Sequence, residues 1–306
     1  TFDVVFTHFL ELCTPFYKAV KKKDLLTKIF CVVHVSSPER GYTLKKQIFK
    51  LVKGFFYSNY IDFFISVSEY TKREIIKHYA IKNSKKIIVI NNGIDTSLFL
   101  KKTHKIDSSK FQFIIASHLV FEKGIQDVIE AVNLLNPQIK EKILIHIYGK
   151  GSYLPQLEKK VNDYNLNSIF EFKGSVSNLF QIYSKYDFLI HPSFKETFCF
   201  TIIKSLISNT PVITTNSPGG NVLLEIQQNK NGYLYNSKDI YSLSLILKEI
   251  VQEKKIISKD VSLSIKEKFS IEKMVANYVG LIGGGDLVMG RLGDEETRRW
   301  GDWESD

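Results

Sequence analysis

Short, almost wholly apolar runs alternate along this chain with longer amphipathic segments, and this alternation restricts the possible folds most strongly. Ten runs are typical of strands: "DVVFTHF", "KIFCVVHVS", "DFFISVS", "KKIIVINNG", "FQFIIASHL", "KILIHIYG", "IFEFKG", "DFLIHPS", "TPVITTNS" and "GYLYN". Segments between them, such as "GIQDVIEAVNLL" (124–135), place apolar side chains on one helical face. Strands without polar alternation are buried on both faces, so the sequence predicts an α/β protein with parallel sheets covered by helices.

A polar stretch without periodicity, residues 91–110, interrupts the alternation, and we interpret it as a linker between two units. We therefore predict a first domain over 1–100 and a second over 101–282. The first unit is short and begins at Thr1 inside a strand-like run, so we expect N-terminal truncation and an incomplete first domain. Residues 283–306 change composition after a triple glycine, which predicts a disordered or foreign tail.

The net charge of +10 comes mostly from lysine. Lysines are spread along the whole chain and only Arg40 and Arg73 precede residue 290, which does not favour a nucleic-acid partner. A solvated lysine-rich surface and attraction to an anionic membrane both remain open, with basic clusters at 18–28 and 45–56. No apolar run approaches the roughly 18 to 20 residues that span a bilayer. Three cysteines without metal-ligand spacing are typical of a reduced cytosolic protein.

One acidic residue, Glu196, stands between a predicted buried strand and a predicted helix in "HPSFKETFCFTIIKSL". Ligands of open parallel sheets bind at the carboxyl ends of strands. The backbone N–H groups of Thr197, Phe198, Cys199 and Phe200 would open the helix and could hold a phosphate. Glu196 could accept hydrogen bonds from sugar hydroxyls, although a simple helix cap is the alternative.

Three more segments follow predicted strands. Lys123 lies in "VFEKG", where an ammonium could meet a diphosphate. "YGKGS" is a glycine turn with Gly149 and Gly151, and "NSPGGNVLLEI" is a glycine-containing loop with Gly219, Gly220 and Glu225. Each segment alone also fits a surface lysine or a tight turn. Their common place at strand ends predicts one cleft.

Taken in order, "SVSEYTKREI", "INNGIDTSLF", "ASHLVFEKG", "IHIYGKGS", "HPSFKETFCFTIIKSL" and "SPGGNVLLEI" resemble glycosyltransferase family 4, the retaining GT-B group. The resemblance covers nearly all of residues 1–282. It implies two Rossmann-like domains that face each other across a cleft. It also implies a nucleotide-sugar donor on the C-terminal domain, an acceptor mostly on the N-terminal domain, and no metal or other cofactor.

By position, the resemblance implies that Lys123 contacts the donor diphosphate and Glu196 touches the transferred sugar. Gly149 and Gly151 match the family's glycine loop, and Gly219, Gly220 and Glu225 match the loop and acid beyond the donor. On the acceptor side, His34 matches a cleft-facing histidine, with a buried structural histidine as the alternative.

The chain departs from the family pattern at three donor-side positions. His118 stands where arginine is usual, Thr197 where glycine is usual, and Lys204 where a second glutamate accepts the ribose hydroxyls. A lysine has three donors and no acceptor, so Lys204 cannot receive a hydrogen bond from ribose. Lys204 would instead pair with the diphosphate or Glu196, or point to solvent.

These features predict a retaining transferase that moves a hexose from a nucleoside diphosphate to a surface glycan or lipid-linked acceptor, as in lipopolysaccharide or capsule synthesis. We expect it in the cytoplasm, peripheral on the inner face of the plasma membrane. A catalytically degenerate GT-B binding subunit is the alternative, motivated by His118 and Lys204. A dehydrogenase is disfavoured because no GxGxxG opens a strand–helix unit.

Overall fold

The computed structural model describes residues 2–34, 41–81, 83–100, 109–216, 226, 231–253 and 260–283. Apart from Gly283, the predicted tail lies outside these residues. Every strand pair in both sheets is parallel, which confirms the predicted α/β class with two parallel-sheet domains.

The first sheet has four strands in the order β1-β2-β3-β4. Its elements in chain order are β1 (Val4–His8), α1 (Pro15–Lys23), β2 (Lys28–Val33), α2 (Leu44–Tyr57), β3 (Phe63–Ser66), α3 (Glu69–His78) and β4 (Ile87–Val89). The residues on both faces of β2 and β3 are almost fully buried, as expected for strands with helices on both sides. Ser68 caps α3 by accepting a hydrogen bond from Thr71 N (3.2 Å).

The second sheet has six strands in the order β10-β9-β8-β5-β6-β7. Its elements are β5 (Phe111–Ala116), α4 (Ile125–Asn133), α5 (Pro137–Lys140), β6 (Ile143–Tyr148), α6 (Leu154–Asp163), β7 (Phe170–Gly174), β8 (Phe188–His191), α7 (Phe200–Ile207), β9 (Val212–Thr215), β10 (Gly232–Tyr235) and α8 (Ile240–Gln252). The chain runs from β5 outward to one side through β6 and β7, and then to the other side through β8, β9 and β10. The loops that leave β5 and β8 therefore diverge, and such a switch point is where open α/β sheets bind ligands.

The predicted helical pattern accounts for the core of the second unit. On α4, the predicted apolar face is buried: Ile125, Val128, Ile129 and Val132 are each at most 1% exposed. Burying one such side chain stabilises the fold by about 1.5–3 kcal/mol. All ten predicted strands lie in the two sheets.

The final two helices, α9 (Ser262–Phe269) and α10 (Ile271–Ile282), return the chain to the first unit. The backbone of the predicted linker pairs with their junction, since Ile94 N donates to Phe269 O (2.9 Å) and Ile271 N donates to Ile94 O (3.2 Å). Gly93 permits this approach because a Cβ there would lie 2.7 Å from Ile271 Cα. Tyr278 then packs on the first sheet, although the predicted boundaries group α10 with the second unit.

Among the described residues, no helix has both the length and the apolar character that crossing a bilayer would require.

Candidate active site

The loops that leave β5 and β8 bring two predicted site residues into contact. Lys123 ends a short 3-10 turn, Phe121–Lys123, and Glu196 lies in the loop before α7. Lys123 Nζ lies 2.5 Å from Glu196 Oε1, and the two side chains are 24% and 14% exposed. The two chemical groups that the sequence places on separate strand ends therefore meet at the switch point of the second sheet.

A histidine completes this group. His191 is the last residue of β8, is buried, and places Nε2 3.1 Å from Glu196 Oε1. A carboxylate only accepts hydrogen bonds, so Nε2 must carry the proton. Burial alone would raise the pKa of Glu196, but the hydrogen bond from His191 and the positive charge of Lys123 lower it to about 2. Glu196 is therefore a fixed, ionised acceptor.

Close backbone packing fixes the two loops against each other. Gly124 has φ +68°, and a Cβ at that position would lie 2.1 Å from Pro192 O. Phe194 N donates to Glu122 O at 2.9 Å across the same contact. The glycine beside Lys123 is therefore required both by its backbone conformation and by the approach of the neighbouring loop.

The predicted glycine turn after β6 packs in the same way on the loop after β5. A Cβ on Gly149 would lie 1.9 Å from Ser117 O, and one on Gly151 would lie 2.2 Å from Leu119 O. Leu119 N donates to Lys150 O (3.0 Å). The turn thus orders the loop that leads to Lys123. Close backbone packing alone explains why glycines occupy these two positions, without any ligand.

The predicted start of the helix after Glu196 was wrong by three residues, because α7 begins at Phe200. Cys199 precedes it with φ +64°, a left-handed conformation that interrupts the helix before that point. The N–H groups of Thr197 and Phe198 therefore belong to the loop and not to the helix. The side chains of Phe198 and Cys199 are buried in the core, so only their backbones can face a ligand.

Two of the three unusual donor-side residues, His118 and Lys204, lie in different environments. His118 is exposed, and its backbone carbonyl accepts from Val120 N at 3.0 Å. Lys204 lies one turn into α7, with Nζ 6.0 Å from the centre of the Phe200 ring. Burial lowers the pKa of Lys204. Lys204 is thus half-buried, so it is not the fully solvated lysine that the sequence left open as an alternative.

On the first unit, His34 follows the carboxyl end of β2. Its Nε2 lies 3.1 Å from His8 Nδ1, and the Phe9 ring stacks on it at 4.6 Å. Burial, reinforced by neighbouring His8, lowers the pKa of His34. His34 is half-buried and lines a cavity of about 270 Å³ together with residues that include Glu11, Tyr42, Lys50, Glu74 and His78.

Helix α3 connects this cavity with the loop of Glu196. Lys195 Nζ lies 5.5 Å from the centre of the Tyr70 ring in the first turn of α3. Glu74 and His78, further along the same helix, line the cavity. A rise of 1.5 Å per residue places these positions about 6 and 12 Å from Tyr70 along the helix axis.

Gly219, Gly220 and Glu225 lie outside the described residues. Within the described part of the chain, His191, Glu196 and Cys199 place potential metal-ligand atoms within 4.8 Å of one another. The Lys123 ammonium already contacts the Glu196 carboxylate and would repel a divalent cation there. The expectation that no metal is needed stays a prediction.

His191 was not among the site residues predicted from the sequence. The residue stands inside the quoted run "DFLIHPSFKETF", and its only signal is its place at the last position of a buried strand that points to the switch point. A histidine within an apolar strand otherwise resembles an ordinary core residue.

Two known protein families match consecutive parts of this chain. Residues 97–266 match the family described as Glycosyl transferases group 1, and residues 1–98 match the one described as Glycosyltransferase Family 4. Because the first match spans more than half of the chain, the chain belongs to the glycosyl transferases of group 1.

Two relatives show the breadth of the family. The chain is 29% identical to the GtfA subunit of the UDP-N-acetylglucosamine–peptide N-acetylglucosaminyltransferase of Streptococcus gordonii, over 57% of this chain and 34% of that protein. It is 30% identical to the O-antigen chain mannosyltransferase RfbU of Salmonella typhimurium, over 70% of this chain and 58% of that protein. The matched region thus spans about a third to about three fifths of these relatives.

Solved structures show the same fold. Anabaena Alr3699/HepE in complex with UDP superposes with a TM-score of 0.75 at 16% identity, over 92% of this chain and 78% of that chain. The pneumococcal O-GlcNAc transferase GtfA superposes with a TM-score of 0.69 at 21% identity, over 87% of this chain and 54% of that chain. The predicted GT-B fold is confirmed.

Proposed function

We propose that this chain transfers a sugar from a nucleoside-diphosphate donor, with retention of configuration, to a glycan or lipid-linked acceptor. The observation that carries the proposal is the Lys123–Glu196 contact at the switch point of the second sheet. It places a cation for a leaving diphosphate beside an ionised acceptor for sugar hydroxyls. Alr3699/HepE, which shares the fold, has been crystallised with UDP and with UDP-glucose.

In the proposed reaction, each of these residues has its own role. The bond from the anomeric carbon to the diphosphate breaks, and its electron pair leaves with the diphosphate, whose charge Lys123 stabilises. An ammonium has three N–H donors, so Lys123 can hold Glu196 and a phosphate at once. The acceptor hydroxyl forms the new bond on the same face, and its proton passes to the leaving phosphate oxygen. Glu196 orients the sugar, and His191 orients Glu196.

The acceptor would enter from the first unit. The cavity beside His34 opens at the carboxyl end of β2, and α3 leads from it to the loop of Glu196. Its mixed lining of aromatic, acidic and basic side chains suits a sugar that carries an apolar or phosphorylated aglycone. We also propose peripheral attachment to the inner face of the plasma membrane, supported by the lysine-rich first unit.

A second candidate rests on Lys204. A half-buried lysine cannot supply the acceptor that ribose hydroxyls require, which favours a binding subunit that holds a nucleotide without turnover. If that candidate is right, the protein binds a nucleoside diphosphate but hydrolyses no donor, and Lys204→Glu creates hydrolysis.

A donor-hydrolysis screen with UDP-, GDP- and ADP-sugars tests the leading proposal. We expect the unmodified chain to release the nucleoside diphosphate from at least one donor, and Glu196→Gln to slow that release about 100-fold while nucleotide binding persists. Lys142→Ala is the control, because Lys142 is exposed directly before β6, at the amino ends of the strands of the same sheet. Hydrolysis by Glu196→Gln at the unmodified rate would contradict the assigned role of Glu196.

A further inference from the structure

Helix α2 is turned with its apolar side outward. Every large apolar residue of this helix except Tyr57 is more than 40% exposed: Leu44, Ile48, Phe49, Leu51, Val52, Phe55 and Phe56. At 100° per residue these positions fall within one arc of about 160°. We call this surface the α2 apolar face. Surface helices of globular proteins normally turn such an arc toward the core.

The opposite side of α2, which faces the protein, is basic. Gly54 is its one buried residue, and a Cβ there would lie 2.7 Å from Ala80 N. Lys50 Nζ donates to Tyr79 OH (2.7 Å) and lies over the Tyr42 ring at 4.4 Å. Lys53 Nζ pairs with Glu11 at 2.7 Å. Lys50 and Lys53 are thus held by the protein, whereas the large apolar residues lie on the exposed side of the helix.

The charge around the α2 apolar face points to an anionic partner. Helices α1 and α2 pack beside each other, and their sequences, "PFYKAVKKK" and "LKKQIFKLVKGFFY", contain no acidic residue. Exposed lysines lie on the same two helices: Lys18, Lys22 and Lys23 on α1, and Lys45 and Lys46 on α2. At 100° per residue, Lys45 falls within the arc of the face itself. A broad apolar face accompanied by exposed lysines is the pattern of a helix that lies in the interface of an anionic bilayer.

We propose that the α2 apolar face docks this protein on an anionic lipid bilayer, with α2 lying in the plane of the interface. Helix α2 stands between this face and the first-unit cavity, because Lys50 lines that cavity from the opposite side of the helix, together with Tyr42 just before it. A bilayer on α2 would therefore hold lipid-linked acceptors about one helix diameter, roughly 10 Å, from the cavity. This last link rests on the proposed function, whereas the docking itself rests on the helix alone.

Vesicle flotation of the purified chain tests the proposal. The vesicles contain either about 30% phosphatidylglycerol in phosphatidylcholine or phosphatidylcholine alone, in about 0.1 M salt. We expect binding to the anionic vesicles, and a loss of at least about tenfold in the triple variant Ile48→Gln, Val52→Gln, Phe56→Gln. These three residues form one exposed stripe at i, i+4 and i+8, so their replacement keeps a helical surface.

The control is Leu134→Gln with Leu263→Gln, which removes exposed apolar side chains elsewhere and is expected to leave binding unchanged. Lys45→Ala with Lys46→Ala should weaken binding about fivefold per lysine. Anionic vesicle binding that survives the triple variant, or no binding by the unmodified chain, would overturn the proposal. A dimer in vesicle-free buffer that the triple variant no longer forms would assign the face to a second copy and also overturn it.

Nucleoside-diphosphate binding in vesicle-free buffer separates this proposal from the proposed function. The triple variant is expected to bind nucleotide as the unmodified chain does. A failure of every form to bind nucleotide would count against the transferase and leave the docking surface standing.

Discussion

The loops at the carboxyl ends of the strands pack differently in the two sheets. At the second sheet, backbone packs on backbone, so that a Cβ on Gly124, Gly149 or Gly151 would come within 2.2 Å of a neighbouring carbonyl oxygen. At the first sheet, side chains surround an open cavity of about 270 Å³. We call the carboxyl end of the second sheet, with Gly124, Gly149 and Gly151, the tight edge, and that of the first sheet the open edge. The contrast teaches that the tight edge holds an ion pair in place, whereas the open edge leaves a cavity.

The charged side chains at the two edges also differ in their partners and in the cause of their pKa shifts. At the tight edge, Lys123 and Glu196 meet and the pKa of Glu196 falls to about 2. At the open edge, burial and then the neighbouring Lys46 lower the pKa of Lys50, which is held by rings instead of a carboxylate. The tight edge therefore holds a cation against a carboxylate, whereas the open edge holds one between aromatic rings.

The largest expected effect comes from breaking the tight edge at Gly124. Gly124→Ala forces a Cβ toward Pro192 O at 2.1 Å in a left-handed conformation, and we expect a loss of about 3 kcal/mol or more in the free energy of unfolding. Urea denaturation measures this loss.

Gly174→Ala is the matched control. Gly174 has the same φ of +68°, and nothing lies within 4 Å of its Cβ position. The control therefore carries only the backbone strain, about 1 kcal/mol. Equal losses in the two variants would show that the loop contact at Gly124 does not matter.

The second effect concerns the acid sensitivity of the ion pair. A carboxyl group with a lowered pKa stabilises the fold above its unfolded pKa, and this stabilisation is lost as the pH falls toward the folded value of about 2. Between pH 6 and pH 3 we expect the unmodified chain to lose about 2 kcal/mol more stability than Glu196→Gln does.

Urea denaturation at the two pH values checks this difference, with Glu141→Gln, at an exposed position, as the control expected to follow the unmodified chain. Identical acid sensitivity in Glu196→Gln and the unmodified chain would mean that the Lys123–Glu196–His191 group does not form in solution.

The smallest effect is expected at the open edge. Lys50→Met keeps the apolar stem between Tyr42 and Tyr79 and removes a charge that burial disfavours. We expect a change of less than about 1 kcal/mol in the free energy of unfolding. A loss as large as that of Gly124→Ala would erase the contrast between the two edges.

The fold and half of the site could be predicted from the sequence because both depend on local patterns. The apolar runs defined all ten strands, and the strand ends pointed to Lys123 and Glu196. Three features could not be predicted from the sequence because they depend on tertiary contacts. His191 resembles a core residue until its distance to Glu196 is known, and the left-handed Cys199 moves the start of α7.

The third missed feature is the orientation of α2. Its sequence, "LKKQIFKLVKGFFY", shows an amphipathic helix. A pattern of this kind normally predicts that the apolar face packs on the protein, so it gives the wrong orientation for α2. The close approach of Gly54 to Ala80 decides it, and that contact joins positions that are distant in the sequence.

Calorimetric titration of UDP, GDP and ADP into the unmodified chain, Lys123→Ala and Lys142→Ala tests the central claim most directly. We expect at least one nucleoside diphosphate to bind the unmodified chain and Lys142→Ala equally, and Lys123→Ala to bind it at least about tenfold more weakly, as the loss of a charge-assisted phosphate contact requires. Equal binding by all three forms would contradict the claim that the tight edge of the second sheet holds the donor diphosphate.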